Sequence, residues 1–185
     1  MTTLYRAALD EIAGALAQVD DQAVEDALDL IAGAKRIALY GVGREGLQVK
    51  GFAMRLFHLG LAASVVGDMN CPPVGAGDLL IVSAGPGYFG TVQALIDVAR
   101  RDGARCLVVT AQPRGMCALA ADSVLCVPAQ TMADDRAAGQ AVSVLPMGSL
   151  YEGALYVLFE TLVLRLRERV GSDPEAMRGR HTNLE

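Results

Sequence analysis

Five short apolar runs, at 36–40, 62–66, 78–83, 105–110 and 123–127, recur along this chain, and helix-like stretches separate most of them. Strands spaced this way cannot form hairpins. They need crossovers, which gives a parallel sheet with helices on both faces. The expected fold is a doubly wound, five-stranded α/β domain. In such sheets ligands sit beyond the C-terminal ends of the strands. Two glycine-rich turns fall at those ends: Gly41-Val-Gly43-Arg-Glu-Gly46 after the first run, and Ala84-Gly-Pro-Gly-Tyr-Phe-Gly90 after the third.

The spacing predicts a helix over 3–19, with Leu4, Ala8, Ile12, Ala15, Leu16 and Val19 on one face. A second begins at the Asp20-Asp21 cap and ends near Gly33. Further helices are expected at 45–59, 91–102, 116–121 and 148–170, with 129–147 a loop and a polar tail last. At 185 residues one domain is expected: 1–34 as N-terminal helices, 35–170 as the α/β sandwich, and 171–185 as the tail.

The chain is 52% hydrophobic and 20% charged, and its late helix is apolar nearly all round. A large core accounts for part of this. Burial between subunits accounts for more, so an oligomer is expected. A net charge of -5 without a Lys/Arg run gives no basis for binding nucleic acid or a membrane. Arg165, Arg167 and Arg169 read as cations at a helix C-terminus. The four cysteines lack C-x-x-C spacing and only two histidines are present, which argues against a zinc site. Cys106 and Cys126 read as small buried hydrophobes. The acidic N-terminal stretch, with no continuous apolar segment, is not expected to act as a signal peptide, and a reducing cytoplasm is the expected compartment.

The first turn formally completes G-x-G-x-x-G, with Asp68 near the ribose-binding spacing. It follows two helices and has a counterpart after the third strand, so a dinucleotide site is the weaker reading. In the second turn, Ser83, Gly85 and Gly87 are either a tight strand–helix connection or a backbone cradle for an anion. His58, near a helix end, reads as a packed or dipole-facing group before it reads as a catalyst. His181 lies in the tail, where a solvated end is the plain alternative. Glu152 opens the apolar helix. It is either a first-turn carboxylate favoured by the dipole or, if buried at a pocket, a base of raised pKa.

Tyr40-Gly-Val-Gly-Arg-Glu-Gly-Leu-Gln-Val-Lys-Gly-Phe-Ala-Met-Arg-Leu-Phe-His-Leu-Gly60, Pro146-Met-Gly-Ser-Leu-Tyr-Glu152 and Arg180-His-Thr-Asn-Leu-Glu185 carry a resemblance over nearly the whole chain. The chain resembles the sugar isomerase (SIS) domain proteins, most closely the 6-phospho-3-hexuloisomerases. The resemblance implies a homotetramer, or at least a homodimer, and aldose–ketose isomerisation of a sugar phosphate through an enediol. Neither cofactor nor metal is implied. Glu152 matches the base, with His181 and His58 as acid–base partners. The His181 tail could reach a neighbouring subunit. Gly43, Arg44, Glu45, Arg55, Ser83, Gly85, Gly87 and Tyr88 are the implied substrate-binding positions.

Two departures bear on the ligand. Glu45 stands where the family usually has serine. Residues 84–89 stand where it usually has Ser-Gly-Ser-Gly-Glu-Thr, so three hydroxyls and one N–H are missing. Each lost charge-assisted hydrogen bond is worth about 1.5–3 kcal/mol. Three readings follow: a sugar-phosphate isomerase that holds its anion differently, an isomerase for an uncharged or differently charged sugar with Tyr88 and Phe89 against the ring, and a non-catalytic binding module.

Overall fold

A computed structural model describes residues 2–135 and 142–184. The elements run α1 (Thr2–Leu16), α2 (Asp21–Gly33), β1 (Ile37–Gly41), α3 (Gly43–Leu59), β2 (Ala63–Val65), β3 (Leu79–Ser83), α4 (Gly90–Arg101), β4 (Arg105–Thr110), α5 (Met116–Leu119), β5 (Ser123–Cys126), α6 (Ser149–Arg169) and α7 (Pro174–Gly179). All strand pairings are parallel, in the order β2-β1-β3-β4-β5.

Alternation along the strands splits the core in two. Ile37, Leu39, Leu79, Ile81, Leu107, Val109 and Leu125 face α2, α3 and α6. Ala38, Leu80, Val82, Cys106 and Val108 face α4 and α5. β3 is buried along its whole length, as a central parallel strand must be. The sheet is therefore covered on both faces, as its apolar runs require.

Local chemistry sets the helix ends. The Asp20 side chain accepts the Ala23 N–H at 2.8 Å and caps α2. Gly60, at φ +93°, ends α3 in the left-handed region. At the end of α6, Arg165 and Arg169 reach across to Glu25 and Asp29 of α2, so these cations tie two helices together.

The structure differs from the sequence reading in several places. α1 forms, but Leu4 is exposed, and the helix packs mainly through Ile12, Ala15 and Leu16. The tail is not all irregular: Asp173 accepts the Ala176 N–H and Pro174 stands in the first turn, starting α7. Cys126 is only partly buried, whereas Cys106 is fully so. The described parts of 129–147 carry neither helix nor strand, and 136–141 lie outside the described residues. Among the described residues, no helix is long and apolar enough to cross a membrane.

Candidate active site

In the order β2-β1-β3-β4-β5, chain direction across the sheet reverses between β1 and β3. In open sheets of this kind such a reversal, at the C-terminal strand ends, is where ligands bind. Gly41 and Ser83, the last residues of these strands, are register partners there. Both glycine-rich turns thus meet at one edge.

The glycines of the first turn serve packing. A Cβ on Gly46 would lie 2.5 Å from the Gly41 carbonyl oxygen, and one on Gly41 would lie 3.0 Å from Gly46 Cα. Strand and helix touch backbone to backbone, and Gly43 turns the chain at φ +57°. The same constraint joins the turns after β3 and β4. A Cβ on Gly115 would come within 2.6 Å of Gly87 Cα.

Glu45, in the first turn of α3, points inward. Its Oε2 accepts the Ser83 hydroxyl at 2.6 Å and the Gly85 N–H at 3.0 Å. Ser83 Oγ also lies 3.2 Å from the Tyr151 hydroxyl. A Cβ on Gly85 would come within 2.8 Å of both Glu45 Oε1 and the Tyr151 ring, so glycine is needed for close approach. Burial pushes the Glu45 carboxyl up from its ordinary range; the Ser83 and Gly85 hydrogen bonds oppose this, and the charge of Glu152 adds to it. Tyr151, buried and beside Glu45, has its phenol raised as well.

Glu152 stands one residue further along α6, nearer solvent. Arg44 pairs with it at 2.9 Å, donates to Ser149 Oγ at 3.2 Å and also donates to the Met147 carbonyl. Burial raises the Glu152 pKa while Arg44 pulls it back. Met147 adopts φ +56° and Gly148 φ +81° in the bend that delivers this first turn. A partly buried carboxylate with raised pKa and a guanidinium in contact can take a proton and hold a developing oxyanion nearby.

The edge therefore gathers Gly43, Arg44, Glu45, Ser83, Gly85, Gly87 and Glu152. Tyr88 lies in the same turn and is about half exposed. Tyr151 went unrecognised in the sequence, although a tyrosine beside Glu152 in an otherwise apolar helix was the available signal.

Arg55, His58 and His181 lie elsewhere. α3 and α6 run side by side, with Arg44 on Glu152, Phe52 stacked on Phe159 at 4.5 Å and Arg55 on Glu160 at 3.1 Å. Arg55 lines a groove of ≈ 390 Å³ with Met54, Tyr156 and Glu160. His58 is 13 residues beyond Glu45 on the same helix, about 20 Å away at 1.5 Å per residue. There its ring lies 5.2 Å from that of His181, and Arg180 donates to the His58 carbonyl at 2.9 Å. Among the described residues, no group of three or more His, Cys, Asp or Glu is placed to hold a metal.

Comparison with known proteins accords with this geometry. The SIS domain model matches residues 30–156. The chain is 34% identical to a 3-hexulose-6-phosphate isomerase of Bacillus subtilis (strain 168), covering 100% of this chain and 99% of that one. It is 36% identical to a 3-hexulose-6-phosphate isomerase of Mycobacterium gastri, covering 95% and 87%. A solved structure of a hypothetical protein from Methanococcus jannaschii, for which a 3-hexulose-6-phosphate isomerase function was inferred, superposes with TM-score 0.83. The identity is 25%, covering 96% of this chain and 98% of that one. A doubly wound sheet with its switch-point turns, matched over two thirds of its length by that family's model, places this chain in the SIS domain family.

Proposed function

We propose that this protein is a sugar-phosphate isomerase that shifts a carbonyl to the adjacent carbon through an enediol, with Glu152 as the base. The Arg44–Glu152 pair at the switch-point edge carries this reading. Support comes from the two relatives named 3-hexulose-6-phosphate isomerase, which match over nearly the full length.

The Glu152 carboxylate takes the proton from the carbon bearing the hydroxyl next to the carbonyl. The electron pair of that C–H bond becomes the enediolate double bond, and the carbonyl oxygen gains the negative charge. The Arg44 guanidinium stabilises that oxygen. Glu152 then returns its proton to the former carbonyl carbon, and a second group moves the hydroxyl proton between the two oxygens. In an aldose–ketose pair the carbonyl passes between C1 and C2. In a 3-hexulose the same step moves it from C3 to C2.

His58 and His181 are the proposed second acid–base group. They stand about 20 Å along α3 within one chain, so a second copy has to supply them. Exposed Leu47, Met54 and Phe57 on α3, with Tyr156, Val157 and Leu164 on α6, support assembly into a homotetramer. The four free cysteines fit action in the cytoplasm.

The test is turnover of 3-hexulose 6-phosphate, followed as formation of the 2-ketose isomer. The native protein converts it, and Glu152→Gln slows conversion by roughly 10²–10⁴-fold while keeping its fold. Absence of conversion by the native protein would sink the function. Unchanged turnover in the variant would sink the base.

A further inference from the structure

At the β1/β3 switch point the Ser83 hydroxyl and the Gly85 N–H, two donors an anion could use, are both already given to Glu45 Oε2. Pro86 has no N–H to add. The adjacent cation, Arg44, is shared among Glu152, Ser149 and the Met147 carbonyl. Ser83 is fully buried and Glu45 is 7% exposed, so water cannot screen the carboxylate there as it does at a surface.

We infer that Glu45 is a specificity-determining residue: its carboxylate fills the anion place at the switch point from within and turns a phosphate away. With these two donors spent and a carboxylate in their place, Ser83–Gly85 repels an anion rather than cradling it. This rests on the proposed reading and adds an orientation to it. A sugar phosphate binds with its phosphate away from Ser83–Gly85.

Glu45 works by occupancy as well as by charge. Its Oε2 consumes the donors, and its Oε1 packs where a Cβ on Gly85 would otherwise lie. Substituting it therefore uncovers a cradle that the backbone already builds.

Sulfate titration at fixed pH tests this without turnover, so its outcome is separable from whether the protein is an isomerase. Native protein, Glu45→Ser, Glu45→Gln and the double variant Glu45→Ser/Ser83→Ala are compared by calorimetry. Glu45→Ser is expected to bind sulfate at least tenfold more tightly than the native protein, with the gain lost in the double variant. Glu45→Gln keeps the size and an acceptor while removing the charge. It is expected to gain at least threefold, and it carries the test if the serine variant does not fold. The inference is overturned if neither variant gains, if the native protein already binds as tightly as Glu45→Ser, or if the gain survives Ser83→Ala.

Discussion

Arg44 and Glu152 face each other at 2.9 Å across the open edge of the sheet, joining the first turn of α3 to the first turn of α6. The contact holds a carboxylate whose burial would otherwise drive it further from its charged form. A base acts only when ionised, so catalysis falls as pH drops through its pKa. Arg44→Ala removes the group that lowers that pKa. The acid limb of the kcat/KM profile is therefore expected to move to higher pH in the variant. A limb that moves down, or stays, in a comparison of pH–rate profiles contradicts the pairing.

Glu45 is shifted in the same direction as Glu152, and its shift bears on stability. Its folded pKa is raised above the unfolded value near 4.5, so the native state binds the proton more tightly than the unfolded chain. Ionising it costs stability. That cost is absent below the unfolded pKa, grows as pH rises between the two values and is constant above the folded one. The melting temperature of Glu45→Gln minus that of the native protein is expected to increase with pH through this window and then level off. Thermal melts across pH read this difference directly, and a decreasing difference would reverse the assignment.

Gly46→Ala places a Cβ 2.5 Å from the Gly41 carbonyl, where only backbone can give way. A loss of about 1–3 kcal/mol is expected, in line with other overpacked sites. Gly14→Ala is the contrast: it is exposed on α1 with nothing within 4 Å, and a gain of about 0.4–1 kcal/mol is expected. Urea unfolding midpoints for the two variants should move in opposite directions.

Phe52 and Phe159 stack almost parallel, at 7° between planes, where α3 meets α6. Both are nearly fully buried. Phe159→Ala should cost about 3–5 kcal/mol in denaturant unfolding. A loss under about 1 kcal/mol would mean that the helices do not hold together here.

The sheet was legible because its strands read as continuous apolar runs and its turns as glycine clusters. β3, buried at every position, is the clearest case. α7 escapes the sequence reading although Asp173-Pro174-Glu175 carries a cap and a first-turn proline, because its six residues are too few to show a period and place only Met177 against the core. The meeting of the two glycine-rich turns at one edge followed from topology, but the orientation of Glu45 did not. Its partners, Ser83 and Gly85, are 38 and 40 residues away, and only the packed sheet brings them together. The sequence likewise hid that His58 and His181 share one end of α3 while Glu152 sits at the other, since that depends on α3 and α6 running in the same sense.

The contact between Gly41 and Gly46 is made from main-chain atoms alone. It fixes where α3 starts without consulting the side chains at positions 44 and 45, which project from the turn it locks. A rigid socket of this kind lets its fittings be exchanged: a serine, a glutamate or another group at position 45 would be presented at the same point in space. Changes of ligand in this scaffold can thus proceed one side chain at a time while the frame that aims them stays put.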